Sequence, residues 1–475
     1  MALTTDQEAI VLQIITAFTN GKRLNELPSI GEGNPLDLIV EVLDVDGESK
    51  QAKLAALLPY LEEQCAYGIE FDTAVSSPVC TRIGNLAFHR SLPIQNRMRG
   101  CLLSDDGTVV EYLHPTNWAA YDRSGARGQV MVEIPAHFRK FETDGTKRRA
   151  KISELPLPGY HSVPKKYVSA YEATFERSTG KLCSVVNMDV DYRGGNNQSA
   201  WDGTYRSVLG RPTTSKSRTQ FRTAARLRGA GTQWNCNDYN AYKDAAWLYY
   251  IEYANLNSQA AFNAQTDANG YKQGGLGNGV TTLSSTQWNT LNGYYPFIPC
   301  GQTDSLGNFS GEVSYSVDVN GDESSIVTVY ANRYRGIENP FGHIWKWTDG
   351  INIEVKTDAD GGTSKVYVAN NPANYIDNGY ANYEMRGLEA RAGGYVKEMI
   401  LGEFGEIISA LDGGGSTTYW CDNHYISVTS SSLRGVLFGG GAINGAAAGL
   451  GCAHSDGAPS GSTTSIGSRL CFIPA

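Results

Sequence analysis

The residues of this 475-residue chain that could hold a metal, carry electrons or act as nucleophile and base are nine cysteines and seven histidines. Their spacing supports none of these chemistries. The cysteines run singly from Cys65 to Cys471 without a C-x-x-C pair, so they outline neither a structural zinc site nor a disulfide framework. An odd, unpatterned set of thiols fits folding in a reducing cytoplasm. The histidines spread from His89 to His454 with no H-E-x-x-H, and no serine sits in G-x-S-x-G. Asp318-Val-Asn-Gly-Asp-Glu opens like a calcium-binding EF-hand loop, but Val329 stands where the bidentate Glu belongs. Asn320-Gly321 between alternating segments reads instead as a type I′ hairpin turn, and Asp358-Ala-Asp-Gly-Gly as another turn. No catalytic residue and no metal ligand is assigned.

The stretch from Arg434 onward is the one built for recognition. Residues 434–475 contain no Lys, Glu, Gln, Met or Trp, and Arg434, Asp456 and Arg469 are their only charged side chains. Arg434-Gly-Val-Leu-Phe and Ile466-Gly-Ser-Arg-Leu-Cys-Phe read as short buried strands, and a buried Arg434 or Arg469 needs a carboxylate or several carbonyls. Between them lie small, turn-prone residues with isolated intruders, Ile443, His454 and Asp456. Such a segment, anchored at both ends and permissive between them, suits a surface whose contacts change while its backbone stays put. The composition is equally that of a Gly-rich loop packed on its own domain.

Around this segment the chain must supply a scaffold. Its length suffices for about two to four domains, and 53 Gly with 27 Tyr favour a turn-rich, β-containing protein. A net charge of −9 argues against a nucleic-acid binder, and Lys147-Arg-Arg and Lys165-Lys166 read as short solvated clusters. There is no basic and then apolar leader, and no run of about 18 apolar residues, so neither signal-peptide secretion nor membrane insertion is expected.

Residues 1–78 form a first module. Thr4-Thr5-Asp6 caps a helix with Ile10, Val11, Ile14, Ile15 and Phe18 at helical spacing, and Asn20-Gly21 ends it. Leu38, Val40 and Val42 alternate along a strand, Asp46-Gly47 turns, and the return carries Lys50 and Ala52. Leu54, Leu57, Leu58 and Leu61 then mark a second helix. So small a unit is marginal alone, which favours oligomerisation. Residues 79–124 are a β-rich connection with a hairpin turn at Asp105-Asp-Gly between Leu102 and Val109-Val110. In the large domain, residues 125–475, a helix around Asp244–Tyr253 places Ala245, Leu248 and Tyr249 on one packed face with Glu252. Trp345 and Trp347, two apart, share one face of a strand and read as core.

Four passages carry a family resemblance. Val130-Met-Val-Glu-Ile-Pro-Ala-His-Phe and Lys166-Tyr-Val-Ser-Ala-Tyr-Glu-Ala look like the opening strands of the formylglycine-generating-enzyme type of C-type-lectin-like fold. Tyr334-Arg-Gly-Ile-Glu-Asn-Pro-Phe-Gly-His-Ile-Trp-Lys-Trp-Thr-Asp-Gly-Ile resembles its G-N-V-W-E-W signature, and the Arg-Gly opening and Ile-Gly-Ser-Arg-Leu close of 434–472 resemble its end. Within that group the chain looks most like the variable proteins of diversity-generating retroelements. Their reverse transcriptase miscopies adenines, so AAY codons scatter into many others but never into Lys, Glu, Gln, Met or Trp. The N-terminal string LNELPSI…DLIVEVLDVDGESKQAKLAALLPYL resembles attachment modules of phage tail fibres, which repeat around a trimer axis.

The resemblance implies an α+β protein: a C-type-lectin-like domain preceded by a small α/β module. It implies a homotrimeric tail-fibre or tail-tip adhesin, carried on the virion and docked to tail or baseplate proteins. Its variable region would contact a protein or glycan receptor on the bacterial surface. The candidate variable ligand contacts, each a residue type that an altered AAY codon can produce, are Gly441, Ile443, Asn444, Ala447, Cys452, His454, Asp456, Gly457, Gly461, Ser462, Thr463 and Ser465. Tyr419, Trp420 and Tyr425 stand just before them as a fixed aromatic rim, or as core. The alternatives are a bacterial, non-phage binding protein of the same fold and an oxidase of the formylglycine-generating type. The latter's paired thiols would fall in 445–455, where Cys452 has no partner. The E-P-N and Q-P-D triplets of sugar-binding calcium lectins are absent, and no cofactor is expected. A structural calcium held by backbone carbonyls stays open.

Overall fold

The computed structural model describes residues 61–204, 206–291, 296–320 and 322–474, and the backbone of one hairpin before them. In that hairpin Ile39–Leu43 pairs antiparallel with Ser49–Lys53, setting Val40 opposite Ala52 and Val42 opposite Lys50. This matches the alternation in the sequence. The capped helix expected over Thr4–Phe18, its Asn20-Gly21 stop, the Asp46-Gly47 turn and Leu54, Leu57 and Leu58 lie outside the described residues. Leu61 is buried at the start of a helical stretch, 61–65.

The described chain is mostly β with few helices. A six-stranded sheet runs, in spatial order, through Trp234–Cys236, Leu470–Phe472, Lys166–Ser169, Gln129–Ile134, Arg99–Leu103 and Val109–Tyr112. A five-stranded sheet runs through His161–Val163, His137–Asp144, Lys147–Ser153, Ala66–Asp72 and Thr81–Gly84. These sheets correct the expected boundaries. Ala66–Asp72 hydrogen-bonds along its length to Lys147–Ser153, and Arg99–Leu103 to Gln129–Ile134, so residues 78 and 124 do not separate independent cores. The Asp105-Asp-Gly hairpin forms as expected, with Leu103 opposite Val109. Gly311–Asp318 and Ile326–Tyr334 also form a hairpin, but pairing stops at Asp318 and Ile326. Gly321 of the turn expected at Asn320-Gly321 lies outside the described residues.

A nine-stranded sheet carries the C-terminal segment. Its relevant strands are β1 (Trp345–Val355), β2 (Asn423–Tyr425), β3 (Ser432–Gly439), β4 (Gly449–His454) and β5 (Ile466–Gly467). β3 pairs antiparallel with β1 and β4; β5 runs parallel to the start of β1, and β4 parallel to β2. β6 (Leu470–Phe472) leaves this sheet and enters the six-stranded one between Trp234–Cys236 and Lys166–Ser169. Both firm ends of the segment are therefore strands, as their sequence indicates.

The helix α1 (Tyr239–Tyr253) passes through the centre. Asp238 caps it, accepting the amide of Ala241 at 2.8 Å, and Ala254 in a left-handed conformation ends it. The expectation of one packed face is corrected: α1 is buried on nearly every side, with Ala245 among its few partly exposed residues. A helix enclosed in this way must pair its charges. Asp244 meets Arg139 and Lys166, Lys243 meets Glu406, and Glu252 meets Arg335 at 2.7 Å. Lys166 is thus a core residue and not the solvated cation its sequence context indicated.

Candidate functional site

The run from Tyr334 to Trp347 is a foundation for the site and is almost wholly buried. His343 Nε2 accepts the amides of Phe297 and Ile298 at 3.2 Å each, which leaves its Nδ1–H to donate to Glu172 at 2.5 Å. Lys346 meets the other Glu172 oxygen at 2.9 Å and gives hydrogen bonds to the carbonyls of Gly342 and Ile344. Burial works against the charge on Glu172, but Lys346 and His343 outweigh it and hold the carboxyl at about 2. Arg469 adds a third support from β6's side: it donates to the carbonyls of Ser169 at 3.1 Å, Asn339 at 2.7 Å and Glu338. Arg434 differs from expectation. It is half-buried, and among the described residues its donors reach only Ser430 and no carboxylate pairs with it.

These contacts fix the position where β1 begins, at Trp345. The β1–β3 and β3–β4 registers set Trp347 opposite Leu437 and Leu437 opposite His454, while β2 sets Tyr425 beside His454. Three rings from three strands consequently meet. Trp345 lies 5.8 Å from Tyr425 at 83° and 5.3 Å from His454 at 63°, and Tyr425 lies 5.6 Å from His454. Edge-on contacts between rings suit their quadrupoles. Asn444 bridges the ring cluster to the loop above it, donating to the Tyr425 hydroxyl at 3.1 Å and accepting the Gly441 amide at 2.7 Å. His454 Nδ1 stands 3.1 Å from an Asp456 oxygen without the alignment of a hydrogen bond. Burial holds His454 below its ordinary value, with Asp456 opposing.

The loops around this floor are held by their main chain. Thr281 accepts the Gly445 amide at 2.8 Å, and Gln259 donates to the carbonyls of Gly445 and Ala448 at 2.9 and 2.5 Å. Ser258 takes the Leu450 amide, and Tyr242 donates to the Leu450 carbonyl. Further on, the indole of Trp347 donates to Gly461, the amide of Arg218 to Pro459 and that of Ser215 to Thr463. Every one of these partners lies outside 434–475. None of these bonds uses a side chain of the segment, so at these points the path of the backbone does not depend on which side chains it carries; Asn444, which accepts the Gly441 amide, is the exception.

The candidate contact residues divide by burial. Gly461, Ser462 and Thr463 are exposed, as is Ile443 at 44%. Asn444, Ala447, His454, Asp456, Gly457 and Ser465 are partly exposed. Gly441 and Cys452 are buried, Cys452 at 0%, and neither is within reach of a ligand arriving from solvent. β4 is an interior strand: a Cβ at Gly449 would meet Asp422 Oδ1 at 1.9 Å and one at Gly451 would meet Met399 at 2.7 Å. Burial pushes the Asp422 carboxyl well above its ordinary value, and it accepts the Gly451 amide.

Of the expected rim, Tyr425 belongs to the ring cluster. Trp420 is core, packed edge-on against Phe71, Trp247 and Tyr250. Tyr419 is partly exposed but turns towards Ser76 and Lys397. Trp345 is the residue the sequence reading missed. Its partner Trp347 is buried as expected, while Trp345, one pleat nearer the strand end, keeps part of its ring open. The signal lay in that terminal position.

All nine cysteines are free, and burial raises the thiol of Cys452 well above its ordinary value, the opposite of what a reactive thiolate needs. Among the described residues no three His, Cys, Asp or Glu side chains gather as a metal site, and no helix is long and apolar enough to cross a membrane.

No protein-family model and no curated protein matches the chain. Among solved structures it is similar to the Major Tropism Determinant U1 variant, at 12% identity over 79% of this chain and 72% of that one, with a TM-score of 0.23. It is similar also to the P3c variant, at 12% identity over 79% and 71%, with a TM-score of 0.23.

Proposed function

We propose that this chain is a binding protein and not an enzyme: a phage tail-fibre or tail-tip adhesin with a C-type-lectin-like domain, whose diversifiable segment contacts the bacterial surface. The observation that carries this reading is the main-chain anchoring of 441–465 by Thr281, Gln259, Ser258, Tyr242, Trp347, Arg218 and Ser215. A scaffold that grips backbone atoms leaves Ile443, Ala447, His454, Asp456, Ser462, Thr463 and Ser465 free to change without moving the loop. The absence of Lys, Glu, Gln, Met and Trp from the segment agrees with adenine-directed variation of its codons.

The exposed side chains are small, whereas binding hot spots are usually Trp, Tyr and Arg. Trp345 and Tyr425, both outside the segment, supply that missing surface as a floor beneath changeable residues. Weak contact per site fits a homotrimer on a virion, where several copies act together.

The test is a segment carrying Ile443, His454, Asp456 and Ser462 all replaced, with binding to a panel of bacterial cells measured beside the melting temperature. An unchanged melting temperature with a changed set of bound cells is expected. A segment whose replacement unfolds the protein, or leaves the bound cells the same, overturns the reading.

A further inference from the structure

A cleft of about 310 Å³ opens between His161–Val163, His137–Asp144, the first turn of α1 and the 403–404 turn, sharing no residue with the ring cluster. Its size is at the small end for organic ligands. Arg139, Lys166 and Lys243 line it, all nearly buried, with Arg386 at 7% side-chain exposure. The buried anions near them are Asp238, Asp244 and Glu406. The cations are in excess by one. Glu384, which meets Arg386 at 2.8 Å, and Glu403, which meets His161 at 2.9 Å, are both exposed and solvated.

The hydrogen bonds show the same excess. Arg139 gives one N–H to Asp244, Lys166 one to the other Asp244 oxygen and Lys243 one to Glu406. Arg386 Nε is buried without a hydrogen-bond partner, its nearest carboxylate oxygen, on Glu406, being 3.8 Å away. Buried guanidinium and ammonium groups ordinarily fill their donors. Here Arg386 Nε is the unfilled buried donor, facing the unfilled Glu406 Oε1, and its side chain lines one opening with Arg139, Lys166 and Lys243. Val163, Pro164, Phe404 and Ile473 give the cleft an apolar side, with the Arg386 guanidinium stacked 3.8 Å over Phe404, while His161, Ser162, Asn240, Asn370 and Glu403 complete the lining.

We propose that this cleft is a second ligand site, for a small organic carboxylate. A single negative charge matches the excess cation, a planar carboxylate can take two of the open N–H donors, and the apolar walls accept a hydrocarbon body. The assignment is independent of the surface-binding reading above.

Calorimetric titration of the full chain with benzoate, acetate, benzyl alcohol and inorganic phosphate tests it. Benzoate should bind, acetate more weakly for want of the apolar body, and benzyl alcohol not at all. Ser162→Glu and Asn370→Glu place a carboxylate at exposed positions on the mouth, where folding is not at risk. Each should weaken benzoate by about tenfold or more at an unchanged melting temperature. Absence of heat with both carboxylates, benzyl alcohol binding as well as benzoate, a benzoate affinity in both variants equal to that of the unsubstituted protein, or a preference for phosphate overturns the assignment.

Discussion

His424 Nε2 lies 2.9 Å from Glu389 Oε1, and Ser455 donates to that same oxygen at 2.6 Å, so a buried charge pair sits directly behind the strand that presents His454. Asp412 approaches the other ring nitrogen at 3.5 Å. Burial alone would lower His424; hydrogen bonds and charge from Asp412 and Glu389 outweigh it and hold the ring up at about 9. The folded value exceeds the unfolded one. The contribution is therefore complete below the unfolded value of about 6.5 and is lost as pH rises through about 9. It is on the order of 2–3 kcal/mol. The urea midpoint should fall between about pH 7 and pH 10, and His424→Gln should show a flatter profile. Parallel profiles for the two proteins would refute the pairing.

The two arginines at the ends of the segment should behave differently. Arg469→Ala strips hydrogen bonds from three buried carbonyls and uncovers Glu172's neighbourhood, and should destabilise by about 3–5 kcal/mol. Arg434→Ala loses only half-exposed contacts to Ser430 and should cost at most about 1 kcal/mol. Alanine at Asp456 or Ser465 should stay within about 0.5 kcal/mol. Denaturant unfolding of the four variants separates them, and an Arg434 variant as unstable as the Arg469 one would count against this geometry.

Trp345 and Trp347 offer a paired test of floor against core. Trp347→Ala should cost about 3–5 kcal/mol of stability, as for a buried ring. Trp345→Ala should cost less stability but about 2 kcal/mol or more of cell binding. Retention of full binding by the Trp345 variant would remove the floor from the site.

Thiol chemistry gives a further check. Cys65 is the one cysteine of the nine that is not buried. Iodoacetamide should modify it alone in the native protein, and all nine after unfolding, while reductant leaves the melting temperature unchanged. Labelling of Cys452 under native conditions would show that β4 is open to solvent.

The sequence disclosed what depends on local pattern. Both ends of the segment, the pairing of Ile39–Leu43 with Ser49–Lys53, the hairpin at Asp105-Asp-Gly and the burial of Trp347 follow from alternation and turn chemistry. What it withheld depends on contacts distant in the chain. Arg469 and Arg434 look alike in sequence, yet only Arg469 meets carbonyls from residues 169, 338 and 339. Lys166 sits in a basic doublet and reads as solvated until Asp244 arrives from α1. The single packed face expected of α1 failed because strands cover it on all sides, and helical periodicity cannot register a second or third covering layer. Trp345 was hidden by the same limit: residues sharing one strand face need not share one depth.

β3 leaves, and β5 re-enters, alongside the same end of β1, one antiparallel and one parallel to it. A tension drawn outward through the loops between them, along the strand axis, loads both sets of inter-strand hydrogen bonds in shear, many at once, instead of peeling them singly. On the surface-binding reading proposed above, a ligand pulled outward should let go before the loops are torn from their sheet, leaving the protein intact to bind again.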